Sequence, residues 1–249
     1  MRRILERLAR EVADALCPER CAACAAIVPA HALFCHACCD GVNALGPPEC
    51  ERCGRPLTRG SCCARCAAED DAPVRYARAF ARYDTDTTRH PIAEALHAFK
   101  YRGAWRLAPR LAQAMLARAP ATLGAPLVAP VPLHVARLRQ RGFNQSAMLA
   151  LQLARALGWP VAVRLLVRTR DTASQTALAA AARHANVDGA FALRRPGSAR
   201  ARHVLLVDDV WTSGATARAA ARALCADGAR AVDVLTFARV ADARYEPGA

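Results

Sequence analysis

Eleven of the twelve cysteines lie between residues 17 and 66, and eight of them form four Cys-x-x-Cys pairs: Cys21/Cys24, Cys35/Cys38, Cys50/Cys53 and Cys63/Cys66. Two residues between thiolates let both sulfurs reach one tetrahedral metal ion, and two such knuckles complete a closed four-sulfur site. Successive pairs are separated by ten, eleven and nine residues, room for a short ribbon hairpin. The simplest pairing gives one zinc ion to Cys21, Cys24, Cys35 and Cys38 and a second to Cys50, Cys53, Cys63 and Cys66. An interleaved pairing also satisfies the spacing, as does Cys62 in place of Cys63. Cys17, Cys39 and Cys62 are then spare thiols, and His31 and His36 read as surface residues. A disulfide framework needs an oxidising compartment. The first residues carry charges in every turn and no apolar run of a secretion signal. Repeated knuckles at near-even spacing suit structural metal better than redox chemistry. With all four positions filled by sulfur, such a module is structural or an interaction platform and offers no open catalytic position.

A second constraint lies near the other end. Residues 204–216 read Val-Leu-Leu-Val-Asp-Asp-Val-Trp-Thr-Ser-Gly-Ala-Thr. Four apolar residues end in Asp208 and Asp209, a hydroxyl- and glycine-bearing loop follows, and an Ala-rich helical run begins. Carboxylates accept hydrogen bonds from vicinal hydroxyls. Backbone N–H groups at a helix N-terminus, with the hydroxyls of Thr212, Ser213 and Thr216, suit a phosphate. Gly214 allows close backbone approach to that phosphate, and Ala215 opens the helix. The order strand, acidic pair, phosphate cradle, helix therefore fits a ligand with both sugar hydroxyls and a phosphate. The competing reading is a buried strand whose acids merely cap the next helix.

Between these features the pattern alternates. Residues 2–16 carry an amphipathic helical period, and residues 67–73 form a polar linker ending in Pro73. The expected organisation is an N-terminal helix over 1–18, a double ribbon over 19–70 and a larger domain over 74–240. Within the last, 74–83 reads as a strand and 91–118 as helix interrupted near Gly103. Further strands are expected at 127–131, 161–167, 204–207 and 232–237, with helices at 144–157, 173–184 and 215–227. Strands alternating with helices predict a mainly parallel α/β sheet covered on both faces. Ligands of such sheets sit beyond the carboxyl ends of the strands.

The segment after the 127–131 strand places Arg137, Arg139 and Arg141 within five positions, ahead of Gly142. Guanidinium groups at a strand top suit a pyrophosphate through bidentate hydrogen bonds; a solvated basic loop is the alternative. Upstream, Lys100-Tyr-Arg-Gly103 adds two cations, and Lys100 is the chain's sole lysine. The formal net charge of +14 favours a polyanionic partner, although a basic composition by itself also makes a merely soluble surface. No window of about 20 residues is apolar and uncharged, so a soluble, cytoplasmic protein without a membrane span is expected.

The 204–216 run resembles the phosphoribosyl pyrophosphate (PRPP) motif of type I phosphoribosyltransferases, with Ser213 where a second Thr is common. Taken with the Cys knuckles, Lys-Tyr-Arg-Gly at 100–103, and Pro-Val-Pro-Leu-His followed by Arg-Gly-Phe-Asn-Gln at 130–145, the order resembles the ComF family. Gln175, Arg183, Asn186 and Phe191 match that family's pattern as well. The resemblance runs from about Cys21 to Arg239. It implies a double zinc ribbon followed by a type I phosphoribosyltransferase-like domain. PRPP would be held with Mg2+, its ribose and 5-phosphate by residues 208, 209 and 212–216 and its pyrophosphate by the three arginines. It also implies a link to natural competence, with single-stranded DNA and a competence helicase or other uptake protein as partners.

Transfer of a phosphoribosyl group needs a ribose-phosphate cradle, a pyrophosphate clamp and a site that aligns a nucleophile. The third is not identifiable in the sequence. In purine-salvage relatives the position two before the motif glycine is an Asp; here it is Thr212, which is no general base near neutral pH. Three expectations follow: a PRPP-binding ComF-type protein that retains or has lost transferase activity, a true phosphoribosyltransferase of nucleotide metabolism, and a zinc-ribbon binding module on a retired enzyme scaffold.

Overall fold

The architecture is that of a computed structural model describing residues 18–69, 73–83, 90–119, 124–170, 187 and 189–241. The expected helices at 2–16 and 173–184 lie outside the described residues, as do Gln175, Arg183 and Asn186.

Five strands form the main sheet: β1 (Asn43–Ala44), β2 (Tyr76–Tyr83), β3 (Leu127–Pro130), β6 (His203–Trp211) and β7 (Ala231–Val240). Their order is β1-β2-β7-β6-β3, parallel throughout except for β1, which pairs antiparallel with β2. The predicted mainly parallel α/β sheet is what the chain forms. Both faces are covered, and side chains alternate between two cores. On β6, Leu205 and Val207 join one core while Val204 and Leu206 join the other; on β7, Leu235 and Phe237 oppose Val232 and Val234. A strand buried on both faces reads as a continuous apolar run, which is why 204–207 is legible as a strand. The first core packs α3 (Pro91–Tyr101), α4 (Ala108–Leu116) and α6 (Gln145–Leu157) on the sheet through Phe99, Leu111, Met115, Leu149 and Leu153. The second packs α7 (Ala215–Ala226) through its alanines and Leu224.

The expected break near Gly103 is a left-handed Gly103 (φ 65°) followed by a 3-10 turn at Trp105–Leu107. Two boundaries differ from expectation. The 161–167 strand does not join the sheet as a strand. Val161 makes a single bridge to Val128, and β4 (Leu166–Arg168) pairs antiparallel with β5 (Phe191–Leu193) in a separate two-stranded sheet. Ala162 O accepts the Leu165 N–H in a turn instead, and Pro130, on the facing strand, has no N–H with which to extend the first ladder. Strand β6 also runs further than predicted, through both aspartates to Trp211, because β7 continues beside it as far as Arg239.

The Cys-rich part contributes two short helices, α1 (His36–Cys39) and α2 (Ala64–Ala67), besides β1. It is seated on the sheet edge, not tethered beside it. Leu45 N–H donates to Phe80 O at 2.9 Å and Ala77 N–H to Arg52 O at 2.7 Å. Gly54, left-handed at φ 66°, lies so close to Ala77 O that a Cβ would collide with that carbonyl. Arginines complete the seam. Arg78 and Arg118 converge on the Glu49 carboxylate at 2.8 and 2.5 Å, and Arg78 also donates to the carbonyls of Cys50 and Glu51. Arg110, on α4, donates to the carbonyls of Arg20 and Ala32 and pairs with Glu19.

Candidate functional site

The carboxyl edge of the sheet is where the candidate residues gather. Strand β3 pairs with β6 up to Pro130 and Val207 and then turns away, so Asp208 and Asp209 emerge at that edge. Each carboxylate is held by a residue from elsewhere. Ser146 Oγ donates to Asp208 Oδ1 at 2.7 Å, and the same oxygen accepts the Asp209 N–H at 2.9 Å. Ser146 is in the first turn of α6, whose N-cap Asn144 accepts from Ser146 N–H and donates to Val131 O at 3.2 Å. The cap therefore ties the helix start to the end of β3. Lys100 Nζ lies 2.7 Å from Asp209 Oδ2, with both side chains less than one-fifth exposed.

The two aspartates are electrostatically unlike. Loss of surrounding water pushes the Asp208 carboxyl up to about 7, and the neighbouring Asp209 charge adds to the rise. Burial disfavours the Lys100 charge, but the Asp209 carboxylate outweighs it and keeps the ammonium above its ordinary pKa. Near neutral pH the site thus holds Asp209 paired with Lys100 and an Asp208 poised between acid and carboxylate.

Beyond Trp211 the loop of Thr212, Ser213 and Gly214 leads into α7. Gly214 is the helix N-cap at φ 76°, and Ser213 Oγ accepts the Ala215 N–H at 3.3 Å. A cleft lined by Asp208, Thr212, Gly214, Thr216 and Thr236 opens here. The sequence suggested Gly214 as room for a phosphate. In the structure the Trp211 indole and the Arg218 guanidinium fill the place a Cβ would take, so glycine is required by those neighbours as well as by its backbone angle.

The predicted arginine loop is a short helix, α5 (Val135–Arg141), with His134 Nδ1 accepting the Ala136 N–H and Gly142 ending it in the left-handed region. Arg137 and Arg141 stand one turn apart, while Arg139 is more than half a turn away. Arg141 donates to Tyr101 Oη at 3.0 Å and Gln145 Oε1 at 3.3 Å. Seven residues are too few for a helical period to stand out in sequence. Ser146 and Asn144 carried no signal as site residues. Lys100 carried one, as the single lysine in a chain that otherwise uses arginine.

The cysteines cluster as the simpler pairing has it: Cys21, Cys24, Cys35 and Cys38 in one group, and Cys50, Cys53, Cys63 and Cys66 in the other, with sulfurs within 4.8 Å of one another. Cys24 and Cys35 Sγ are 3.6 Å apart and Cys53 and Cys63 Sγ 3.7 Å. Sulfurs at about 2.3 Å from a tetrahedral zinc stand about 3.8 Å apart, so both sets fit structural zinc. Cys63 is buried within the second set, while Cys62 is exposed. All eleven described cysteines are free of disulfides. The Cys53 thiol is drawn down to about 4 by a hydrogen bond from Cys66 and, against burial, by the charge of Arg239.

The second cysteine set reaches the candidate phosphate loop. Arg239 donates to Cys53 O at 2.7 Å, and Arg218 donates to Ser213 O at 2.9 Å while pairing with Glu69 at 3.5 Å. Both guanidiniums stand 5.5–5.8 Å from the Trp211 ring.

Comparison with known proteins finds relatives of both parts. Residues 12–67 match the double zinc ribbon domain family and residues 144–249 the phosphoribosyl transferase domain family. The chain is 34% identical over 208 residues to DNA utilization protein YhgH of Escherichia coli K12, covering 81% of this chain and 88% of the relative. It is 35% identical over 113 residues to competence protein F of Haemophilus influenzae (45% and 49% covered) and 26% identical over 214 residues to competence protein ComFC of Bacillus subtilis (82% of each). Among solved structures, an allosteric regulatory enzyme of purine biosynthesis is 25% identical, covering 53% of this chain and 25% of that one, at a TM-score of 0.37. A purine phosphoribosyltransferase from Pyrococcus horikoshii is 16% identical, with 59% and 93% covered, at a TM-score of 0.33. Among the described residues, no helix is long and apolar enough to cross a membrane.

Proposed function

The chain belongs to the ComF family, and from that premise we propose that it binds PRPP at the carboxyl edge of β6 and serves in the uptake or use of DNA, with phosphoribosyl transfer to an acceptor yet to be identified. One observation carries the reading: Asp208 and Asp209 are each built into place, by Ser146 and Lys100, beside a glycine-capped helix N-terminus. A retired sugar site has no use for a buried lysine and a serine that hold its carboxylates.

In this reading the ribose hydroxyls donate to Asp208 and Asp209, and the 5-phosphate takes the N–H groups at the start of α7 with the hydroxyls of Thr212, Ser213 and Thr216. Arg137 and Arg141 face the pyrophosphate, with Arg139 further round the helix. Mg2+ arrives with the PRPP and shares the charge of its pyrophosphate. The chain's own part in transfer is to orient the sugar and neutralise the departing pyrophosphate. Thr212 stands where purine salvage wants a carboxylate, so purine bases are disfavoured as acceptors. The ribbons are structural, and their thiolates suit the reducing cytoplasm. The expected partners are single-stranded DNA and a helicase or other protein of the uptake machinery.

PRPP with Mg2+ at a hundredfold excess over its Kd should raise the melting temperature by about 5–10 °C. Asp208→Ala with Asp209→Ala should abolish the shift; a double variant that keeps it rules out this site. Pyrophosphate release from PRPP across a panel of acceptors then separates a transferase from a binder.

A further inference from the structure

Residues 95–170 contain twelve Lys or Arg and no Asp or Glu. Among the described residues, two Phe, Tyr or Trp rings are more than half exposed, and both lie in that acid-free stretch: Tyr101 at 59% and Trp105 at 52%. They stand on either side of the Gly103 turn that ends α3. Each has a guanidinium beside it. Arg106 lies 5.4 Å from the Trp105 ring, and Arg141 lies 5.1 Å from the Tyr101 ring while donating to its hydroxyl. Leu138, 39% exposed on α5, extends the apolar surface. An exposed tryptophan costs solvation in a free monomer and normally belongs to an interface.

We infer that this corner, formed by Tyr101, Arg102, Trp105, Arg106 and Leu138, is the surface on which a single-stranded nucleic acid lies. A polyanion is specified by charge: cations flank the rings, and the carboxylate that reaches this corner, Glu94, is paired with Arg102 at 3.5 Å. Single strands are specified by the rings, since only unpaired bases offer free faces to stack on, whereas a duplex offers phosphates alone. A protein partner of acidic character would satisfy the arginines but leave the two rings unexplained. The zinc ribbons are poorer candidates. Among their described residues the single Phe, Tyr or Trp ring, that of Phe34, is buried, and Arg20 and Arg52 donate to ribbon carbonyls. The corner also adjoins the proposed PRPP site through the backbone: Lys100 turns inward to Asp209, and Tyr101, the next residue, turns out.

The inference rests on the DNA-handling reading above and is tested apart from it. The probes are a fluorescein-labelled 20-nucleotide oligodeoxythymidylate and a 20-base-pair duplex, followed by anisotropy at several salt concentrations with the zinc-loaded full chain. The single strand should bind more tightly than the duplex, and more weakly as salt rises. Trp105→Ala and Tyr101→Ala should each weaken it about fivefold or more, Trp105→Phe should retain most of the affinity, and Arg106→Ala should flatten the salt dependence by about one unit of slope. Melting temperature and the PRPP-induced shift should be unchanged in Trp105→Ala, Trp105→Phe and Arg106→Ala. Single-strand binding that survives both alanine substitutions overturns this surface alone. A duplex bound as tightly as the single strand overturns the stacking basis. A wild-type chain that binds no single strand overturns the surface and the DNA reading together.

Discussion

The two cysteine sets have the same ligands and nearly the same spacing, yet they sit in different surroundings. In the first, Cys21 is buried, Cys24 is exposed and Cys35 and Cys38 are half-buried; in the second all four are buried. The first rests on α4, where Arg110 holds its backbone. The second leans on the end of the sheet, where Arg239 and Arg218 link it to Trp211 and Ser213. Metal chemistry alone would make the two interchangeable. Their neighbours make the first an anchor for the ribbon and the second a buttress for the loop at the candidate site.

The largest expected effect tests that contrast directly. Cys53→Ser opens the buried set, and structural zinc contributes on the order of 10 kcal/mol to the folding of such modules. Native mass spectrometry should find one zinc instead of two, with a large fall in melting temperature and loss of the PRPP-induced shift. Cys24→Ser should also lose a zinc but keep the shift. Equal loss of the shift in both variants would break the comparison.

Next is Gly214→Ala. It forces a methyl group into Trp211 and Arg218 at a left-handed position, and should cost about 2–4 kcal/mol. At 2–4 °C per kcal/mol for a chain of this size, scanning calorimetry should find the melting point roughly 5–15 °C lower. A shorter step compares Arg239→Ala with Arg110→Ala. Each leaves buried ribbon carbonyl groups without a donor, at about 1–3 kcal/mol. Isothermal titration should show weakened PRPP binding only for Arg239→Ala, and matching affinities would deny the second ribbon its special link to the loop.

The smallest effect is in pH. The folded-state pKa of Asp208 is raised to about 7 from its ordinary value, so the folded chain binds this proton more tightly than the unfolded chain between about pH 4 and 7. The stability this group contributes is therefore present below pH 4 and is lost as pH rises towards 7. Ligand hydroxyls prefer the ionised acceptor, so PRPP binding should strengthen across the same upper range. Asp208→Asn should flatten both profiles in urea titrations and binding isotherms; unchanged profiles would assign the titration elsewhere.

What the sequence made legible was contiguous. The knuckles declare themselves because a tetrahedral ion fixes their spacing, and 204–216 does so because strand, acids, loop and helix follow one another without interruption. Contacts assembled across long separations were not legible. Ser146 meets Asp208 from 62 residues away and Arg239 meets Cys53 from 186. Lys100 could have been singled out from composition, but its partner could not, since only the crossing of α3 over the strand ends brings it to Asp209. The 161–167 run misled because an apolar strand pattern does not say which sheet it joins, and the turn after Ala162, opposite a proline of β3, decided the matter. Arg137 to Arg141 are a cluster in sequence, but the helical period turns Arg139 to a different side of α5 from the other two.

The short strand β1 has a consequence for how copies of this protein behave towards each other. Without it, β2 would end the sheet as an eight-residue edge with open backbone groups along it, the kind of edge onto which a neighbouring chain adds its own strand. The ribbon that carries β1 keeps its shape through metal. Metal starvation would then bare that edge as well as loosen the loop at the candidate site, and the ribbon would act as the protein's guard against its own kind.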